Sequence, residues 1–204
     1  MKKVSILMLA TLLSYGAFSQ FQIGASGSYL KGTGDNNRSL WGGGLTGKFF
    51  LGNNIALGAG FRVLPKIEKS STGAVGGSTV TTSDNLSQVF GSLDIFLNSK
   101  KKAVQPYFGV DAGISNSNRT ILVSGTGSGL GSFENNETFF YLAPKLGVNI
   151  GLSPAVGIFG QASYGLTFGN GEDLNNLPQY DSKPVDKFFV FDAGLYVRLS
   201  GTKK

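Results

Sequence analysis

From Phe21 to Leu199, apolar and polar positions alternate with a period of two, the repeat of a β-strand with two unlike faces. Phe21, Ile23, Ala25, Gly27 and Tyr29 share one face, and Gln22, Gly24, Ser26 and Ser28 the other. A second segment sets Trp41, Leu45, Phe49 and Leu51 against Thr46 and Lys48. A third sets Ile55, Leu57, Ala59, Phe61 and Val63 against Gly58, Gly60 and Arg62, and a fourth sets Val89, Leu93, Ile95 and Leu97 against Gln88, Ser92 and Asp94. The fifth opposes Phe108, Val110, Ala112 and Ile114 to Tyr107, Gly109, Asp111 and Gly113. The sixth, less regular around Pro144, opposes Phe140, Leu142, Leu146, Val148 and Ile150 to Tyr141, Lys145 and Asn149. The seventh runs from Val156 to Phe168 against Gln161, Ser163 and Thr167, and the eighth from Phe189 to Leu199 against Asp192, Gly194, Tyr196 and Arg198. These lengths are near the ~9–11 residues of a tilted membrane-crossing strand.

The connections alternate in length. Gly52–Asn54, Asn98–Ala103 and Ser153–Ala155 predict tight turns, whereas Gly32–Ser39, Glu68–Asn85, Asn116–Glu137 and Gly169–Asp186 predict long loops rich in Gly, Ser, Asn, Thr and Asp. An even strand count with short turns on one rim and long loops on the other predicts an all-β, eight-stranded antiparallel up-and-down transmembrane β-barrel.

Alternation alone leaves open which face points outward, and composition argues for lipid on the apolar side. Charged residues make up 15% of the chain, against ~25% in soluble domains, and there are 31 glycines. The polar face is mostly Gly, Ser, Thr and Gln, which suits a narrow lumen and solvates poorly. The other face carries bulky Phe, Leu, Ile and Trp on every strand. A soluble barrel with an apolar interior is the alternative. No stretch in the body of the chain has the ~18 apolar residues of a spanning helix.

Met1-Lys2-Lys3, the apolar run Val4–Leu13 and the small residues Ala17 and Ser19 read as an export signal cleaved between Ser19 and Gln20. Residues 1–19 are thus expected to be a signal peptide and 20–204 a single barrel domain. Without Lys2 and Lys3 the 18 basic residues fall to 16 against 12 acidic ones, a net charge of +4 rather than +6, scattered along the chain, so no nucleic-acid partner is expected. The chain contains no cysteine, hence neither a disulfide nor a lipid-modified thiol.

The export signal, four hairpins and segments such as Pro106-Tyr-Phe-Gly-Val-Asp-Ala-Gly113 and Phe189-Val-Phe-Asp-Ala-Gly-Leu-Tyr-Val-Arg-Leu199 resemble the small OmpA- and OmpX-type outer-membrane β-barrels of Gram-negative bacteria. The resemblance covers nearly all of residues 20–204. It implies the outer membrane as location, outer-membrane lipid as surroundings and the barrel-assembly machinery as partner during biogenesis. Many members end on an aromatic residue, whereas here Leu199 is followed by Ser-Gly-Thr-Lys-Lys. Barrels of this kind with phospholipase, deacylase or protease activity resemble one another in using a histidine, and the chain has none. We therefore expect no catalytic residues, no enzyme activity, no metal and no cofactor.

Gly42, Gly44 and Gly47 have the spacing G-x-G-x-x-G but lie within a strand, not at a strand-to-helix turn, so a nucleotide site is not expected. Gly125, Gly127, Gly129 and Gly131 read as a mobile loop, and neither Asp35–Asn37 nor Glu172–Asn176 has calcium-loop spacing. One constellation stands out: Lys48, Arg62, Lys145 and Arg198 share the polar face with Asp94, Asp111 and Asp192. Inside a barrel these would meet as a luminal ion-pair network. Lys31, Arg38, Lys66, Lys69, Arg119, Lys183 and Lys187 near the long-loop rim could meet lipopolysaccharide phosphates, and Lys100–Lys102 marks the opposite rim. The expected function is structural or interactive, with exposed loops serving an unknown extracellular ligand, adhesion or envelope integrity. The alternative is a narrow porin-like channel constricted by the luminal charges.

Overall fold

A computed structural model describes residues 20–33, 39–72, 79–98, 103–124, 131–168 and 187–199, so the expected signal peptide lies outside the described residues. Eight strands follow in chain order: β1 (Phe21–Thr33), β2 (Ser39–Leu51), β3 (Ile55–Thr72), β4 (Thr79–Phe96), β5 (Val104–Ser124), β6 (Gly131–Gly151), β7 (Val156–Phe168) and β8 (Lys187–Leu199). Each pairs antiparallel with its sequence neighbours, and β1 pairs with β8 from Phe21↔Leu199 to Thr33↔Lys187, closing the barrel. Closure satisfies the backbone donors and acceptors that an open edge would leave bare in lipid.

The apolar face points outward. Leu146 is 69% exposed, Val89 67% and Trp41 65%, and the belt they belong to runs over every strand. Soluble proteins seldom expose contiguous apolar patches beyond a few hundred Å². A continuous belt is a surface for hydrocarbon.

Four strands are longer than the alternation predicts. β3 continues to Thr72, β4 begins at Thr79, β5 continues to Ser124 and β6 begins at Gly131, so much of the expected long loops is paired strand. In these extensions Gly, Ser, Thr and Asn interrupt the apolar alternation while backbone pairing continues. The one register shift in β3–β4 falls between Leu64 and Ile67, around Pro65, which cannot donate to a ladder.

The interior is bulkier than a face of Gly, Ser, Thr and Gln suggests. Phe50, Phe90, Phe96, Tyr107, Phe139, Tyr141, Phe159, Phe188 and Tyr196 all point inward and are buried. They fit because many lie directly across from a glycine on the next strand: Tyr107 opposite Gly147, Phe159 opposite Gly194, Phe188 opposite Gly165, and Tyr196 opposite both Gly24 and Gly157. A Cβ at Gly165 would collide with the Phe188 ring. Aromatic and glycine thus interlock around the wall, and two apolar layers form. One contains Leu30, Leu40, Leu64, Phe139, Tyr141 and Phe188 towards the long-hairpin end, and the other Phe50, Ala56, Phe96 and Tyr107 towards the short turns.

Candidate functional site

Between these layers lie six of the seven charged side chains that the alternation placed on the polar face. Asp94 on β4, fully buried, receives Lys48 of β2 at 2.7 Å and Lys145 of β6 at 2.8 Å. Lys145 also reaches Asp111 on β5 at 2.5 Å. Missing side chains make these reaches possible. Gly109 is the cross-strand partner of both Asp94 and Lys145, and a Cβ there would strike the Asp94 carboxylate. Gly58 lies opposite Lys48 and lets its stem lie along the wall.

Arg62 on β3 forms a second centre. Its guanidinium grips Asp192 of β8 through Nη2–Oδ2 at 2.7 Å and Nε–Oδ1 at 3.2 Å, and Nη1 donates to Gln88 Oε1 at 2.6 Å. Asp192 also accepts from Ser28 Oγ at 2.5 Å and Gln161 Nε2 at 2.8 Å. Tyr107 Oη donates to Gln161 Oε1 at 2.8 Å, and the Lys48 ammonium lies 4.6 Å from the Tyr107 ring centroid, so the tyrosine links the two centres. A forked guanidinium on a carboxylate with every remaining oxygen supplied is the arrangement that offsets the desolvation of a buried pair.

Arg198 sits apart from both. It lies near the short-turn rim, donates to Gln22 Oε1 at 3.2 Å and Gln105 Oε1 at 3.0 Å, and stacks near Phe50 and Tyr196. The structure therefore groups Lys48, Asp94, Lys145 and Asp111 in one cluster and Arg62 and Asp192 in another, with Arg198 in a glutamine-lined layer of its own. Ser28, Gln88, Gln161 and Tyr107 complete these centres without having been singled out as members. Their signal is register: Ser28 and Gln161 are both cross-strand partners of Asp192, and Gln88 is the partner of Arg62.

Gly42 and Gly44 have a packing role. A Cβ at Gly42 would come within 2.7 Å of Leu64 Cα, and one at Gly44 within 2.7 Å of the Phe61 carbonyl oxygen. Of the rim cations, Lys31 and Lys187 are exposed on the outer wall. Arg38, Lys183 and Lys100–Lys102 with the other loop motifs lie outside the described residues or largely so, as do the side chains of Lys66, Lys69 and Arg119.

A closed eight-stranded antiparallel barrel, apolar outside and charged within, defines the class of small outer-membrane β-barrels. Among solved structures the chain is similar to a major outer membrane protein from Thermus thermophilus, with 12% identity and a TM-score of 0.58 over 89% of this chain and 99% of that one. It is also similar to Neisserial surface protein A, at 13% identity and a TM-score of 0.56 over 88% and 96% of the two chains. The attachment invasion locus protein Ail of Yersinia pestis aligns at 17% identity and a TM-score of 0.51 over 89% and 97%. At such identities the shared property is the fold. No protein-family profile matches the chain, and no curated protein sequence matches it.

Proposed function

We propose that this chain is an exported, non-enzymatic barrel of the outer membrane whose lumen is a structural plug and whose work is done by what it displays above the membrane. The observation that carries this reading is the sheet formed by the outer parts of β3–β6. β2 pairs with β3 only as far as Gly43↔Val63, and β6 with β7 only as far as Phe140↔Phe168, while β3–β4, β4–β5 and β5–β6 pair on to Thr72↔Thr79, Thr79↔Ser124 and Val123↔Gly131. Four strands thus stand beyond the closed barrel, and among the described residues no strand pairs along either outer flank, a surface suited to a protein partner. Basic residues on the same rim bring lipopolysaccharide within reach as a neighbour.

The plug supports the same reading. Side chains of both apolar layers are buried, with Leu64 and Ala56 at 0% exposure. A continuous water path would have to part them. The display role is tested by joining β3 to β4 and β5 to β6 through short turns at the barrel rim and comparing adherence of bacteria carrying each form to epithelial monolayers. The shortened barrel is expected to insert and to lose adherence. Retained adherence by an inserted, shortened barrel would remove the sheet from the function.

A further inference from the structure

The outer wall carries a feature that neither the lumen nor the projecting sheet uses. Gly43, Gly27, Ala193 and Gly160 are successive cross-strand partners over β2, β1, β8 and β7, so four small residues lie side by side on the lipid-facing surface. Gly27, Ala193 and Gly160 help floor a groove of about 820 Å³. Two residues further along the strands, Trp41, Tyr29 and Phe191 form its upper wall, with ring centroids 4.6 Å apart for Tyr29–Trp41 and 6.4 Å for Tyr29–Phe191. Phe189 and Tyr164 continue this aromatic ribbon. Aromatic ribbons of this kind settle at the boundary between hydrocarbon and headgroups.

Immediately above the ribbon stand two lysines. Lys31 follows Tyr29 on β1 by two residues and is the cross-strand partner of Phe189, and Lys187, two residues before Phe189 on β8, is the partner of Thr33. Both are exposed and face outward, and among the described residues no carboxylate pairs with either ammonium. With ~3.4 Å per residue along a strand, the Lys31 backbone lies roughly 14 Å from Gly27 along β1. That is headgroup height above a hydrocarbon groove.

The geometry points to a binding site on this wall for a phosphorylated glycolipid of the outer leaflet, of the lipid A class, with an acyl chain in the groove over Gly27 and Gly160 and a phosphate between Lys31 and Lys187. This site rests on the proposed membrane orientation, with the long hairpins outside. Charge complementarity names the occupant: two amines placed at headgroup level, with no carboxylate paired to them among the described residues, match a phosphate, while the small residues remove bulk where a chain would lie. A second copy of the barrel would bring Lys31 and Lys187 of both copies towards one another, which like charge opposes.

The experiment uses the refolded chain in neutral detergent and follows binding of bisphosphorylated lipid A and of the same lipid without its phosphates by native mass spectrometry. The parent is expected to prefer the phosphorylated lipid by about tenfold or more at low salt, as two lysines near an anionic surface would give. K31Q/K187Q is expected to lose that preference. Gly160→Leu is expected to weaken both lipids alike, because a Cβ at Gly160 meets nothing within 4 Å and the substitution fills the groove without disturbing the backbone. Heat-modifiable migration on gels confirms that each variant is folded. A folded double variant that keeps the phosphate preference, or Gly160→Leu binding both lipids as tightly as the parent, would overturn the site. A parent chain that fails to insert into vesicles would instead contradict the membrane reading beneath it.

Discussion

Neutralising Asp94 should be the most damaging single change in the lumen. Its carboxylate holds two ammonium groups, Lys48 at 2.7 Å and Lys145 at 2.8 Å, and is fully buried. At an effective dielectric of about 20, each contact is worth roughly 6 kcal/mol of Coulomb energy before desolvation is counted. Measured losses on breaking buried pairs are smaller, about 3–5 kcal/mol, because the native pair has already borne most of that desolvation. Asp94→Asn leaves Lys145 its second carboxylate, Asp111, but deprives Lys48 of the only carboxylate recorded beside it among the described residues. We expect a loss of about 3 kcal/mol or more for Asp94→Asn. Asp111→Asn should cost less, about 1.5–3 kcal/mol, since Lys145 keeps Asp94. Adding Lys48→Met to Asp94→Asn removes the stranded ammonium and should recover about half of the loss or more. The assay is urea unfolding in lipid vesicles, read from the fluorescence of Trp41, the single tryptophan, which faces outward and changes environment as the barrel leaves the bilayer. An unchanged midpoint for Asp94→Asn, or no recovery in the double variant, would refute the reasoning.

Gly165→Ala should destabilise the barrel by about 1–3 kcal/mol through its collision with the Phe188 ring, and Phe188→Leu in the same chain should restore most of that in the same unfolding assay. Tyr107→Phe removes the donor to Gln161 Oε1 between the two charge centres and should cost about 1–3 kcal/mol, while Tyr164→Phe on the outer wall should leave the midpoint nearly unchanged. Trp41 fluorescence should be quenched by lipids brominated near the headgroup end of the acyl chain; full insensitivity to brominated lipid would mean that the apolar face does not meet hydrocarbon.

The eight elements were legible because each crosses between two unlike environments, and that contrast writes itself into the chain as alternation: β7 runs Val156–Phe168 in both sequence pattern and structure. Where the contrast ends, so does the signal. Residues 68–72, 79–85, 116–124 and 131–137 are paired strand where the pattern predicts loops, because small and polar residues interrupt the alternation there and backbone pairing alone carries the strands on. The seven charged residues were visible as outliers on a face of small polar groups. Their grouping was hidden, since it depends on register: a single glycine at position 109 decides that Asp94 and Lys145 meet across β5. The inward aromatics were hidden for a related reason. A phenylalanine on the polar face looks like an irregularity until the glycine opposite it is known.

Conductance of the refolded chain in a planar bilayer, with insertion confirmed by protease protection, tests the central claim most directly. Electrical silence is expected, because the ion-paired clusters lie between two buried apolar layers. Reproducible unitary steps, altered when Arg62 or Lys145 is neutralised, would contradict a closed lumen and make the same charges the constriction of a pore.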